Sequence, residues 1–338
     1  MSKEKPKILS LFSGAGGLDL GFKNAGFDIV TSNEIDSDTF ETYEHNFPKT
    51  NHIGRSIIKI GAGDLENYYD GIIGGPPCQS WSEAGKQKGI NDPRGKLFFE
   101  YVRILKLIKP KFFLAENVSG MLHKKHSESV KNITQKFSDV GYKVEYKLLD
   151  AVDYNVPQNR KRVFIIGIRN DIEQTFSFPP MGLFTPNKTL ADALEGLPKP
   201  LPALDKNKTN FDHKKMGGNQ VANNEYMIGG FSTIFMSRNR VRKWDEPSFT
   251  IQAGGRHAPV HPDAPKMEKV ETDKFKFCEK NLDKYRRLSV RECARIQTFP
   301  DDFIFFYEQV ADAYKMIGNA VPVKLAEAIA SEIRNQLF

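Results

Sequence analysis

Apolar and polar positions follow two regular periods through the first half of the chain, and neither period through much of the second. Short apolar runs at residues 7–12, 26–30, 52–57, 70–75, 112–115, 142–149 and 162–168 have strand length and are bounded by glycine, proline or charge. Helical spacing appears at 18–27, 38–47 and 95–108. In the last of these Leu97, Tyr101, Ile104, Leu105 and Ile108 share one side. Strands alternating with helices predict an α/β fold built on a doubly wound, mostly parallel sheet. From about residue 185 to 284 the alternation stops and prolines and glycines become frequent, among them Pro198, Pro200, Pro202, Gly229, Gly230, Gly254 and Gly255. This stretch predicts a second, smaller and irregular domain. Beyond it, Ser289 with Glu292 forms the signature of a capped helix start. A helix at 323–333, apolar on one face, is expected to pack back on the first domain. The expected organisation is a domain at 1–183, a second at 184–305 and a returning segment at 306–338.

Composition narrows the class. A chain of 338 residues can bury a large core. Its apolar runs fall far short of the roughly 20 residues that cross a bilayer. The charged N-terminus passes directly into a strand-like run, which predicts no export signal. Cys78, Cys278 and Cys293 are widely spaced and fit no Cys-x-x-Cys pattern, so the expectation is a reducing compartment and no metal. The net charge of +7 is uneven. Lys and Arg outnumber Asp and Glu 21 to 14 in residues 181–300 and are outnumbered 3 to 6 in 301–338. A basic middle segment suits a polyanionic partner, although a solvated face has the same composition.

The candidate chemistry lies at strand ends. Ser13, Gly14, Ala15, Gly16 and Gly17 follow the first strand and open a helix, an arrangement that brings backbone N–H groups close to a ligand. The spacing is not Gly-x-Gly-x-x-Gly, so a dinucleotide site lacks its fingerprint. Glu34 ends the second strand, where a carboxylate can accept from ribose hydroxyls or simply cap the next helix. After Gly74-Gly75-Pro76-Pro77 the chain presents Cys78. That residue is either a nucleophile held by two rigid prolines or a small buried apolar side chain. A polar loop at 82–94 follows, with Ser82 and Arg94, and can close over a substrate. Glu116 ends another apolar strand, where desolvation favours its protonated form, and an N-cap role is equally open there. Arg160 and Arg162 are two apart, so on an extended chain they project from one face toward one anionic or carbonyl-bearing group. In the irregular segment Arg238, Arg240, Arg242, Gln252, Gly255 and Arg256 belong to clusters of the residue types that grip phosphates and read base edges. Arg287 starts a helix whose arginines can face solvent or phosphate.

Taken in order, these motifs resemble those of the bacterial cytosine-5 DNA methyltransferases of modification systems. The matching residues are Leu11-Phe12-Ser13-Gly14-Ala15-Gly16-Gly17, Asn33-Glu34, Gly75-Pro76-Pro77-Cys78-Gln79, Glu116-Asn117-Val118, Gln158-Asn159-Arg160-Lys161-Arg162, Arg291-Glu292-Cys293-Ala294-Arg295 and Gly318-Asn319-Ala320-Val321-Pro322. The resemblance implies a Rossmann-like methyltransferase fold and duplex DNA as substrate. It also implies S-adenosylmethionine as methyl donor, S-adenosylhomocysteine as product, and no metal. It further implies that a flipped-out cytosine is attacked at C6 by Cys78, with Glu116 at N3 and the exocyclic amine and Arg162 at O2. Arg160 joins this catalytic set. Phe12, Ser13, Gly14, Gly16, Gly17, Leu18, Glu34, Ile35, Pro77, Asn319 and Val321 would hold the cofactor. Ser82, Arg94, Arg238, Arg240, Arg242, Gln252, Gly255, Arg256 and Arg287 would touch DNA. The family's aspartate for the adenine amine is missing after the third strand, where Gly54-Arg55-Ser56 stands, and Asp64 lies nearer Cys78 than that motif usually does. The recognition segment resembles the GGCC-reading subgroup through 234–242 and 285–288, yet Arg256-His257-Ala258-Pro259-Val260 departs from it. By resemblance the protein is a cytosolic bacterial monomer that shares its site with a restriction endonuclease without needing to bind it. A tRNA cytosine-5 methyltransferase and an inactive DNA-binding regulator are the rival readings.

Overall fold

The computed structural model describes residues 4–77, 95–182, 187–211 and 221–338. Seven strands form the main sheet: β1 (Lys7–Leu11), β2 (Asp28–Asn33), β3 (Asn51–Ile53), β4 (Gly71–Gly74), β5 (Phe112–Val118), β6 (Tyr142–Asp150) and β7 (Lys161–Arg169). Their order is β3-β2-β1-β4-β5-β7-β6. The first five pair in parallel, whereas β7 runs antiparallel to both β5 and β6. This is the mostly parallel α/β sheet expected, and its strand order reverses between β1 and β4. A crevice opens at such a reversal, beyond the carboxyl ends of the strands.

The helices are α1 (Gly17–Asn24), α2 (Phe40–Asn46), α3 (Gly95–Ile108), α4 (Ser127–Asp139), α5 (Leu190–Leu194), α6 (Val290–Ile296), α7 (Val310–Asn319) and α8 (Val323–Leu337). α3 has the predicted limits because its apolar stripe is unbroken, and it buries Tyr101, Ile104 and Leu105 against the sheet. α8 covers α1 from the far end of the chain. A Cβ on Gly21 would lie 2.4 Å from the Ala326 Cβ, so the two helices meet where only glycine fits. Phe22, Ala326, Ile329 and Ile333 share one buried cluster with β1, β2 and β5 residues.

Two strand predictions shift. The second strand starts at Asp28 because Gly26, at φ 88°, ends α1 in the left-handed region instead of extending. The third stops at Ile53: the Asn33 amide donates to the carbonyls of Ile53 (2.8 Å) and Arg55 (2.6 Å) and turns the chain there. Among the described residues between 187 and 289 regular structure is sparse: α5, the short pairs β8 (Leu201–Pro202) with β9 (Glu225–Tyr226) and β10 (Glu268–Glu271) with β11 (Lys274–Lys276), and short 3₁₀ turns at Phe235–Ser237, Gly255–His257 and Glu279–Lys284. A single apolar cluster joins parts of this stretch to Ala15, Tyr43 and Phe47 on one side and to α6 and α7 on the other.

Candidate functional site

A cavity of about 610 Å³ occupies the crevice at the carboxyl ends of β1, β2, β4 and β5. One end is built by the turn after β1. Phe12 leaves the strand at φ 56° and Gly14 follows at 53°, which turns the backbone sharply at the mouth of the cavity. The Glu34 carboxylate holds this turn: Oε2 accepts from the Gly14 N–H at 2.9 Å, and Oε1 accepts from Ile35 and Asp36 at 2.7 and 2.9 Å. Glu34 itself lines the cavity. The buried Ser13 hydroxyl has no partner among the described residues, which leaves it able to bind a polar ligand there. Leu18, Gly17, Ile35, Asn319 and Val321 complete the wall. A nucleoside-sized ligand with ribose hydroxyls fits this donor and acceptor set.

Gly16 differs from its neighbours in the turn. It stands behind the cavity, where a Cβ would meet the Phe47 ring at 2.4 Å, so it shapes the turn without lining the site. Of the two alternatives for the adenine contact, Ser56 lines the cavity. Asp64 does not, being paired with Arg55 and accepting from the Gly61 N–H at 2.8 Å.

At the other end Glu116, Asn117, Pro76 and Pro77 converge on Arg162. β5 carries Glu116 past the end of β4, and the antiparallel β5–β7 register sets Arg162 opposite Val118. The Arg162 Nε lies 3.0 Å from the Glu116 Oε1, and their side chains are only 15% and 13% exposed. Burial pushes the Glu116 carboxyl above its ordinary value, with Arg162 and Arg160 opposing that shift. The Asn117 amide donates to the Pro76 carbonyl at 3.3 Å and ties this wall to the turn after β4. Cys78, Ser82 and Arg94 lie outside the described residues.

Arg160 does not share the Arg162 target. β7 begins at Lys161, so the extended alternation assumed for the pair fails one residue earlier. The buried Arg160 guanidinium donates to the carbonyls of Ile251 (2.9 Å), Gly318 (2.7 Å) and Ala320 (2.9 Å). It joins the segment carrying Gln252 to the one carrying Asn319.

Arg162 also lines a second cavity of about 480 Å³, together with Asn159, Lys161, Arg238, Arg240, Gln252 and His257. Arg238, Gln252 and Arg256 are exposed. Three other sequence candidates are engaged within the segment itself, Arg240 and Arg287 by its backbone carbonyls and Gly255 by packing. Arg240 donates to the Phe235 and Ile234 carbonyls at 2.7 and 2.8 Å, and burial brings its pKa down to about 10. Arg287 donates to the carbonyls of Met227, Gly229 and Gly230 and stacks 3.9 Å over Phe231. Gly255 is buried against Met227 and Tyr314. Arg242 is half-buried over Phe249 and contacts Glu246 and Asn159.

Sequence reasoning missed Asp19 and Lys315, which both line the first cavity. Asp19 is fully buried and accepts from the Ser10 hydroxyl (2.7 Å) and the Tyr43 hydroxyl (2.5 Å). The available signal was a carboxylate between Leu18 and Leu20 on a helix that must bury that face.

Comparison with known proteins gives one answer. A family profile described as C-5 cytosine-specific DNA methylase matches residues 6–335. The chain is 55% identical to the type II methyltransferase M.FnuDI of Fusobacterium nucleatum, over 98% of this chain and 95% of that protein. It is 54% identical to the type II methyltransferase M.NgoPII of Neisseria gonorrhoeae, over 98% and 96%. Among solved structures, a candidate DNA modification methyltransferase encoded within an E. coli prophage superposes with a TM-score of 0.72 at 26% identity, covering 98% of this chain and 99% of that one.

Proposed function

Given that this chain belongs to the C-5 cytosine-specific DNA methylases, we propose that it methylates C5 of a cytosine within GGCC in duplex DNA, as the modification half of a bacterial restriction–modification system. The observation that carries this reading is a single cavity with two chemistries. Its first end offers the Glu34 carboxylate and the unpartnered Ser13 hydroxyl to a nucleoside, and its second offers a buried acid paired with an arginine.

S-adenosylmethionine, when bound, supplies the methyl group and leaves as S-adenosylhomocysteine. Glu34 accepts from its ribose hydroxyls, and Ser13, Gly14, Gly17 and Leu18 hold it from the β1 side. Ser56 would be the candidate for its adenine, and Phe12, Ile35, Pro77, Asn319 and Val321, which line the same cavity, would close around it. At the other end the flipped cytosine meets Glu116 and Arg162. Cys78 adds as thiolate to C6, which makes C5 nucleophilic. Glu116, whose carboxyl burial pushes above its ordinary value, donates its proton to N3, and Arg162 at O2 stabilises the charge that develops on the ring. After C5 has gained the methyl group, its proton leaves and the C6–S bond breaks, which restores the aromatic ring. The exposed Arg238, Gln252 and Arg256 contact the duplex, with Lys161, Asn159 and His257 beside them. The protein acts as a cytosolic monomer and needs no bound nuclease.

Transfer of a labelled methyl group to duplex DNA and to tRNA tests the substrate class. Label on duplex DNA alone supports the reading, and label on tRNA alone overturns it.

A further inference from the structure

The cofactor cavity described above is bounded by segments nearly 280 residues apart in sequence. One is the connection after β2, which carries Glu34, Asp36 and Asp38. The other is α7, which ends at Asn319. Away from the rim these parts are tied by the Thr42 and Asn46 side chains, which bond the backbone of Phe306 and Ile304. At the rim itself they meet through Lys315. Its ammonium lies 2.7 Å from the Asp36 Oδ2 and 3.2 Å from the Asp38 Oδ2. Asp36 donates its N–H to Glu34 at 2.9 Å, so the lysine connects through one residue to the carboxylate that holds the Gly14 turn. Lys315 also stands one helical turn before Asn319 on the same helix. Lys315, Asp36, Glu34 and Asn319 all line the cavity.

We infer that Lys315 is a positioning residue for the cofactor. By bridging Asp36 and Asp38, it sets the distance between the Glu34 wall and the Asn319 wall. The inference rests on the cofactor reading proposed above. Its effect falls on cofactor affinity more than on chemistry, because the clamp is remote from the Glu116–Arg162 end of the cavity. The ion pairs are partly exposed, with Lys315 and Asp36 side chains 40% and 31% accessible. The expected effect is therefore modest and salt-dependent.

The test compares the full-length protein with Lys315→Met and Lys315→Arg. Calorimetry with S-adenosylhomocysteine as probe is combined with steady-state kinetics on saturating duplex DNA. Lys315→Met is expected to raise the Kd for the probe and the KM for the methyl donor about 3–10-fold, with kcat within about twofold. Lys315→Arg keeps the charge and should restore affinity. The difference between Lys315→Met and the parent should shrink as salt rises from about 0.05 M to about 0.5 M. Asp38→Asn, which removes the longer of the two contacts, should give a smaller rise in Kd. A Lys315→Met protein that binds the probe as tightly as the parent overturns the inference, as does one that loses kcat and thermal stability together. If the parent protein itself does not bind the probe, the cofactor reading fails instead.

Discussion

The sheet that carries the first cavity and the irregular segment between 187 and 289 satisfy their backbones by different means. In β1 to β5 each strand's carbonyls are taken by the neighbouring strand, so the side chains at the strand ends are free to face a ligand. In the irregular segment few strands exist, and buried arginines supply the missing donors. Arg287 and Arg240 fill this role inside the segment, Arg160 reaches into it from the start of β7, and Arg291 closes it from α6. A buried arginine and an exposed arginine in one basic region therefore do different work. Charge alone does not tell them apart.

This distinction can be broken by experiment. The buried Arg291 donates to the carbonyls of Ala222 (2.9 Å), Pro300 (3.0 Å) and Phe303 (2.9 Å) and to the Asn223 amide oxygen. Arg291→Met should cost about 3–5 kcal/mol, since several buried acceptors lose a charged donor. Urea unfolding read by circular dichroism measures this loss. A change below about 1 kcal/mol would remove arginine from its place as the segment's backbone donor.

In the sheet half the matching experiment targets chemistry. Glu116→Gln should lower methyl transfer about 10²–10³-fold while duplex binding persists, because in the proposed mechanism the group meets the base and not the phosphates. Gel-shift and rate measurements on the same preparation check it. Equal losses in both would move Glu116 into the binding surface.

Asp19 gives a pH signature to the same half. Burial pushes its carboxyl up to about 6, against an ordinary 3.8, while its bonds to Tyr43 and Ser10 oppose the shift. The folded protein then holds the Asp19 proton more tightly than the unfolded chain does. Its stabilising contribution is full below about pH 4 and is lost as pH rises through about 6. Asp19→Asn should remove about 2–3 kcal/mol of that slope, visible as a flatter stability profile from pH 4 to 7.

The smallest effect separates the two kinds of arginine directly. Arg238→Ala should reduce the salt slope of duplex binding by about 1 with little change in stability. Arg287→Ala should lower stability and leave that slope unchanged. The reverse pattern would exchange their roles.

Legibility in the sequence follows the same division. The unbroken stripe of α3 marked both of its ends, and the Ser289–Glu292 capping box forms as read, with reciprocal bonds of 3.0 and 2.6 Å. Glu34 and Glu116 were legible because local periodicity fixes where an apolar run ends, and the carboxyl ends of parallel strands gather at one crevice; Arg162 reaches the same crevice from the start of β7 because that strand runs antiparallel to β5. Gly26 was misread because a glycine that terminates a helix looks like one that precedes a strand. Arg240 bonds carbonyls only five and six residues back, in a stretch with no regular period to show it, and Arg160 and Arg287 bond distant carbonyls, of which spacing along a chain carries no record. Lys315 escaped for the same reason, its partners lying 277 and 279 residues away.

The central claim is that this cavity methylates cytosine in a defined duplex site through Cys78. Bisulfite sequencing of DNA from cells making the parent protein or Cys78→Ser tests it most directly. The account predicts protected cytosines confined to GGCC with the parent protein and none with Cys78→Ser. Full protection by Cys78→Ser, or no protected cytosine in DNA from cells making the parent protein, would contradict it.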